Sequence, residues 1–178
     1  MFCLLAGPLW AGCPAAPDHA AEMEALLAEV QAAPDEGAAR VVTNRMWELW
    51  TDAPDEIAQE MLNHGMAQRG SYDFLGAIAV LDRLVAYCPD YAEGYNQRAF
   101  VQFIRQDYPS ALVDLDRTLE LSPNHIAARA GRALTLLGLG RKDEARTDLK
   151  QALALNPWLS ERSLLADGGP LAPEGEEL

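Results

Sequence analysis

At 178 residues, 49% hydrophobic and 23% charged, the chain has the composition of a single globular domain. Its formal charge of -13 excludes nucleic acid as an expected partner, because phosphates require a basic surface. The acidic excess serves solubility.

Residues 1–16 contain no Asp, Glu, Lys or Arg and are rich in Leu, Ala, Phe and Trp. The stretch falls short of the ~18 apolar residues that cross a bilayer, and Gly7-Pro8 interrupts it. Ending in the small residues Ala11-Gly12 and Ala15-Ala16, it reads as a cleaved export signal without the usual basic start, which places the mature protein in a periplasm or outside the cell. Ala11-Gly12-Cys13 also resembles the end of a lipoprotein signal, although Trp10 stands where leucine is usual. A membrane is a partner only if Cys13 is lipidated, and a cytoplasmic location is the remaining alternative.

Residues 17–56 form an N-terminal helical pair. Met23, Leu26, Leu27 and Val30 mark one amphipathic helix started by Asp18, and Val41, Val42, Met46, Trp47, Leu49 and Trp50 mark a second. Pro54, with Thr51 or Asp52 as cap, starts the next helix.

From residue 57 to 157 one pattern recurs three times at an interval of about 34 residues. Its columns are Gly65, Ala99 and Ala133; Ala77, Ala111 and Ala145; Leu81, Leu115 and Leu149; and Pro89, Pro123 and Pro157. Small residues let two helix axes approach to the short end of the usual ~8–10 Å, and each proline ends a second helix. Helices of three to four turns are too short to persist alone, so each unit must pack on the next. The pattern resembles the tetratricopeptide repeat family, although the usual tryptophan reads Met61, Tyr95 and Arg129 and the usual tyrosine reads Gln68, Gln102 and Leu136.

The resemblance implies an all-α solenoid with units at 58–91, 92–125 and 126–159. In the same register Trp47 falls on Leu81 and Trp50 on Leu84, which makes the N-terminal pair a degenerate repeat stacked ahead of the array. Residues 158–166, with Trp158, Leu159, Leu164 and Leu165, are expected to form a capping helix and complete a domain spanning 57–166. Asp167-Gly168-Gly169-Pro170 then opens an acidic tail, 167–178, expected to be disordered.

Little else in the chain points to chemistry. His19, His64 and His125 are scattered and read as surface or helix-end residues, with no metal-binding spacing. Gly138-Leu139-Gly140 fills a turn and opens no phosphate-binding helix, and the serines lack a nucleophile elbow. No catalytic residue, metal or cofactor is expected.

What the resemblance implies is protein or peptide binding in a groove lined by the first helices of successive repeats. Carried onto this sequence, the groove holds Asn63, Met66, Arg69, Asn96, Gln97, Phe100, Phe103 and Leu134, with Phe103 open to a core role instead. The family positions that grip a chaperone's C-terminal carboxylate read Leu62, Met66, Gln97, Ala127 and Gly131, without a cation, so that partner is not expected. The expected role is an exported scaffold or assembly factor, with self-association or an unrecognised hydrolase as alternatives.

Of the three cysteines, Cys3 would leave with the signal. Cys13 and Cys88 then either form a disulfide that pins the N-terminal pair to the array, or Cys88 is a buried apolar residue and Cys13 is lost or lipidated.

Overall fold

The structure, a computed structural model, describes residues 12–173. Cys3 and most of the expected signal lie outside that range, as do Glu174, Glu176 and Glu177 of the expected tail. The described helices pair in sequence: α1 (Ala20–Gln31) with α2 (Glu36–Trp50), α3 (Glu56–Gly70) with α4 (Phe74–Tyr87), α5 (Ala92–Ile104) with α6 (Tyr108–Leu121), and α7 (Ile126–Gly138) with α8 (Lys142–Leu155). None is long and apolar enough to cross a membrane.

Local chemistry explains the boundaries. The Asp35, Asp55, Asp73 and Asp107 carboxylates accept from backbone N–H groups in the first turns of α2, α3, α4 and α6, satisfying donors that a helix start leaves free. Each array hairpin turns through one residue in left-handed geometry, Tyr72, Gln106 and Gly140, which recur at the repeat interval. Only the third is glycine, so two repeats accept the cost of a side chain there.

The small-residue columns lie where helices touch. Ala77, Ala99, Ala111, Ala133 and Ala145 are fully buried, and a Cβ on Gly65 would come within 2.8 Å of the Leu81 side chain. Around them run Leu62, Leu81 and Leu84, then Leu115 and Leu119, then Leu136 and Leu149, one buried cluster after another along the stacked hairpins.

A second column is ionic. The Arg98 guanidinium on α5 donates to both Asp114 oxygens on α6, at 2.7 and 2.6 Å, and to Asp82 on α4 at 2.8 Å. Arg132 does the same one repeat later, donating to Asp148 at 2.6 and 2.9 Å and to Asp116 at 2.8 Å. Hydrogen bonding to Asp114 and Asp148 holds both guanidiniums above their ordinary pKa against the opposing effect of burial.

The N-terminal pair is not a repeat stacked ahead of α3. Leu26, Leu27, Val30, Ala39, Val42 and Met46 form the hairpin's own core, and the array residue that joins them is Ile126, at the start of α7. Leu155, Trp158 and Leu159 pack around the edge of this cluster, so the hairpin lies near the opposite end of the array from the one expected. Trp47 and Trp50 accordingly do not fill the slots of Leu81 and Leu84. Those slots are sized for fully buried leucines, whereas Trp47 is 37% exposed and Trp50 half-buried.

Two C-terminal expectations also change. The capping helix is a short 3-10 helix, Ser160–Leu165, whose flanking Trp158 and Leu159 pack on the N-terminal hairpin while Leu164 and Leu165 cover the end of the array. The tail is ordered through residue 173. Leu171 is fully buried with Ala145 and Leu149, and the Arg146 guanidinium donates to the carbonyls of Leu171 and Ala172 at 3.0 and 3.1 Å. Burial of Leu171 and the two Arg146 bonds together anchor the segment past the glycine turn.

Candidate functional site

A cavity of ≈ 310 Å³ opens on the face shared by α3, α5 and α7. Phe100 and Phe103 from α5 and Leu134 from α7 supply its apolar surface, Arg69 stands at the α3 side, and Trp47, Leu159 and Glu161 close it from the hairpin and the 3-10 segment. Phe100 is 47% exposed, and the Arg69 guanidinium lies over its ring at 4.6 Å. Phe103 leans on Tyr108 with ring centroids 5.6 Å apart and is half-buried, so it serves both wall and packing.

A buried polar network lies beneath this surface. The Glu93 carboxylate accepts from Asn96 at 3.1 Å, from Gln97 at 2.5 Å and from His125 at 2.9 Å, and the Gln97 carbonyl in turn accepts from Arg69. The second nitrogen of His125 accepts from the Ala128 N–H at 3.2 Å. That pairing leaves Nε2 to donate to Glu93 and makes His125 the cap of α7. Burial lowers the Arg69 pKa from its ordinary value, and the charge of Glu93 opposes the shift.

The same network meets the hairpin. Trp50 stacks on His125, and the Tyr91 hydroxyl donates to the Trp50 carbonyl at 2.9 Å. Burial first, and then the nearby Glu93 charge, push the Tyr91 phenol well above its ordinary pKa, so it remains a donor. Tyr91 and His125 stand one repeat apart, at equivalent positions just before α5 and α7, and both hold Trp50.

Of the eight expected groove residues, Arg69, Asn96, Gln97, Phe100, Phe103 and Leu134 come together. Asn96 and Gln97 are buried and committed to Glu93, so their free donors are fewer than the pattern implies. Asn63 and Met66 are not part of the cavity. Asn63 accepts from Gln59 on the exposed side of α3, and Met66 packs against the core formed by α3 and α4. Leu62, also at a family groove position, is fully buried in that core. Sequence reasoning missed Trp47, Leu159 and Glu161, which reach the cavity only because the hairpin and the 3-10 segment fold back over it. His125 is a helix-end residue, the cap of α7, but fully buried and not on the surface, and its place in the Tyr91 column was the available signal for that burial.

Cys13 and Cys88 form a disulfide with α-carbons 5.1 Å apart. It ties the segment ahead of α1 to the end of α4. His19, at the start of α1, is 2.7 Å from Asp52, just ahead of α3, so both roots of the hairpin are held on one edge of the array. Among the described residues, no group of three or more His, Cys, Asp and Glu side chains could hold a metal ion.

Paired short helices in one register, stacked about small residues and presenting a groove, define a helix-turn-helix solenoid. No protein-family model matches the chain. It is 35% identical over 114 residues to Tetratricopeptide repeat protein 36 of Xenopus tropicalis, covering 61% of this chain and 55% of that protein. The human protein of that name is 30% identical over 122 residues, covering 66% of this chain and 65% of its own length. The chain thus spans less than two thirds of either relative. Among solved structures, the Arabidopsis OM64 TPR domain superposes with a TM-score of 0.59 at 20% identity, over 61% of this chain and 90% of that one. The first TPR of Spaghetti (RPAP3), bound to HSP90 peptide SRMEEVD, superposes with a TM-score of 0.58 at 20% identity, over 60% and 84%. The chain is a tetratricopeptide repeat protein.

Proposed function

We propose that the protein is an exported interaction module whose groove receives a short apolar segment of a partner protein. The observation that carries this reading is Phe100, half exposed beneath a guanidinium in the wall of a ≈ 310 Å³ cavity. Structures of the same fold described as bound to HSP90 and Hsp70 peptides support peptide capture as the mode. A carboxylate-terminated ligand is the poorer fit. Leu62, Met66, Gln97, Ala127 and Gly131 offer no cation, and Arg69 is already engaged with Gln97 and shares its cavity with Glu161.

Capture from the native extract with wild type and Phe100→Ala as baits tests the groove. A partner retained by wild type and lost by Phe100→Ala, with unchanged far-UV circular dichroism, is the expected result. Equal retention by both overturns the assignment.

Export is supported by the Cys13–Cys88 bridge, since disulfides persist chiefly in oxidising compartments. The bridge and a lipid cannot share the Cys13 sulfur. Intact mass of the native protein is expected to show a chain that begins at or before Cys13, carries no lipid and lacks the hydrogens of both thiols. A lipidated chain, or one beginning after Cys13, overturns this placement.

A further inference from the structure

Among the described helices, the hairpin α1–α2 is held to the array in its own way. Its core is largely its own, and among the described residues the one fully buried residue that the array adds is Ile126, with Leu155, Trp158 and Leu159 only partly covered. Trp158 is packed there with its indole N–H meeting no acceptor among the described residues. By contrast, successive array helices share fully buried columns. Polar contacts finish the hairpin seat: Trp50 on His125, Trp50 with Tyr91, and the surface pair of Arg162 with Glu36.

We propose that α1–α2 is a lid over the groove and that the Cys13–Cys88 disulfide is its latch. Residues 13–53 form an excursion closed at both ends, by the bridge at one root and by buried Ala53 at the other. Closing a loop removes much of the conformational freedom that opening would gain, and that restraint vanishes when one root is cut. Reduction cuts it. A dithiol reductant attacks as its thiolate at the Cys13 sulfur, which is partly exposed, while the Cys88 sulfur, nearly fully buried, departs and takes a proton. The second thiol of the reductant then displaces the Cys13 sulfur. Two protein thiols and one oxidised reductant result, a transfer of two electrons and two protons.

Once the N-terminal root is free, α1 can leave α8 and Trp47 can leave the groove wall. That uncovers Ile126, Leu155 and Leu159 and widens access to Phe100 and Leu134. The lid stands whether or not the groove takes a peptide, because it rests on the hairpin's seat and its two roots.

Hydrogen exchange read by mass spectrometry on the full chain tests it, comparing oxidised protein, dithiothreitol-reduced protein and Cys13→Ser, which leaves buried Cys88 in place. In both unbridged forms the amides of α1 and α2 are expected to exchange at least about tenfold faster, with α4, α5 and α6 unchanged. Unchanged hairpin exchange overturns the latch. An equal acceleration across α1 to α8 also overturns it, since the bridge would then support the whole fold. Two free thiols in oxidised native protein that retains Cys13 would remove the latch outright.

Discussion

Trp50 lies flat on His125, ring centroids 4.1 Å apart and planes 11° from parallel, and through it the N-terminal hairpin touches the buried Glu93 network of the second and third repeats. Offset aromatic stacking adds to simple area burial. Replacing Trp50 with alanine is expected to cost about 2–3 kcal/mol, somewhat below the ~3–5 of a fully buried tryptophan. Trp47→Ala should cost only about 1 kcal/mol. Urea midpoints of the two variants check the order, and a larger loss at Trp47 would contradict this placement of the hairpin.

Gly65→Ala sets two effects against each other. Alanine gains roughly 1 kcal/mol of helix propensity over glycine, while a Cβ 2.8 Å from fully buried Leu81 is overpacked at roughly 1–3 kcal/mol. Leu81 has little room to yield, so a net loss is expected. Gly70→Ala, with no atom within 4 Å of the added carbon, should instead hold or raise stability. Thermal melts of both variants give the two signs.

Removing the cation from the first ionic rung leaves Asp114, only 3% exposed, without its bidentate partner. Arg98→Met is expected to cost about 3 kcal/mol, and adding Asp114→Leu should recover most of it, since the loss comes from a stranded buried charge. A double variant no more stable than Arg98→Met would show that the pair itself, and not the stranding, carries the energy.

Acid sensitivity has an identifiable contributor. Hydrogen bonds from the Ala58 N–H and then from the Tyr87 hydroxyl hold the Asp55 carboxyl below its ordinary value of 3.8. A depressed folded-state pKa means stability that is present above the unfolded value and is lost as the pH falls from there through the folded one. Asp55→Asn should therefore lower the melting temperature at neutral pH and flatten its dependence below about pH 4. Parallel melting curves for both proteins from neutral to acid would exclude this role.

The array was legible because its constraints repeat. Gly65, Ala99 and Ala133 must be small for one reason three times over, and three instances at one interval reveal a contact that a single glycine would not. The Arg98 and Arg132 rungs were written in the same register, with Asp114 and Asp148 beside them. The hairpin's position was not legible. Ile126, Leu155 and Trp158 serve it once each, and a contact made once leaves no periodic trace. Trp47 and Trp50 fit the leucine column by number, yet a count of residues carries no information about whether an indole fits a slot made for leucine. Six of the eight expected groove residues followed from the repeats. Trp47, Leu159 and Glu161 were supplied by segments folding back over the groove.

The ionic rungs also govern how the array comes apart. Asp114 and Asp116 stand close together on α6, one holding Arg98 of α5 and the other Arg132 of α7, while Asp82 and Asp148 extend the grip to α4 and α8. Each helix from α4 to α8 is thus paired with a neighbour, and Asp114 and Asp148, 3% and 4% exposed, are the charges that melting of α5 or α7 would strand. Solenoids of weakly coupled units fray one repeat at a time, and a chain of pairs running through five helices is expected to draw their melting toward one event. The first repeat has His64 and Val80 in place of the arginine and aspartate, so α3 meets α4 through the buried Ala58, Leu62, Leu81 and Leu84 and not through such a rung.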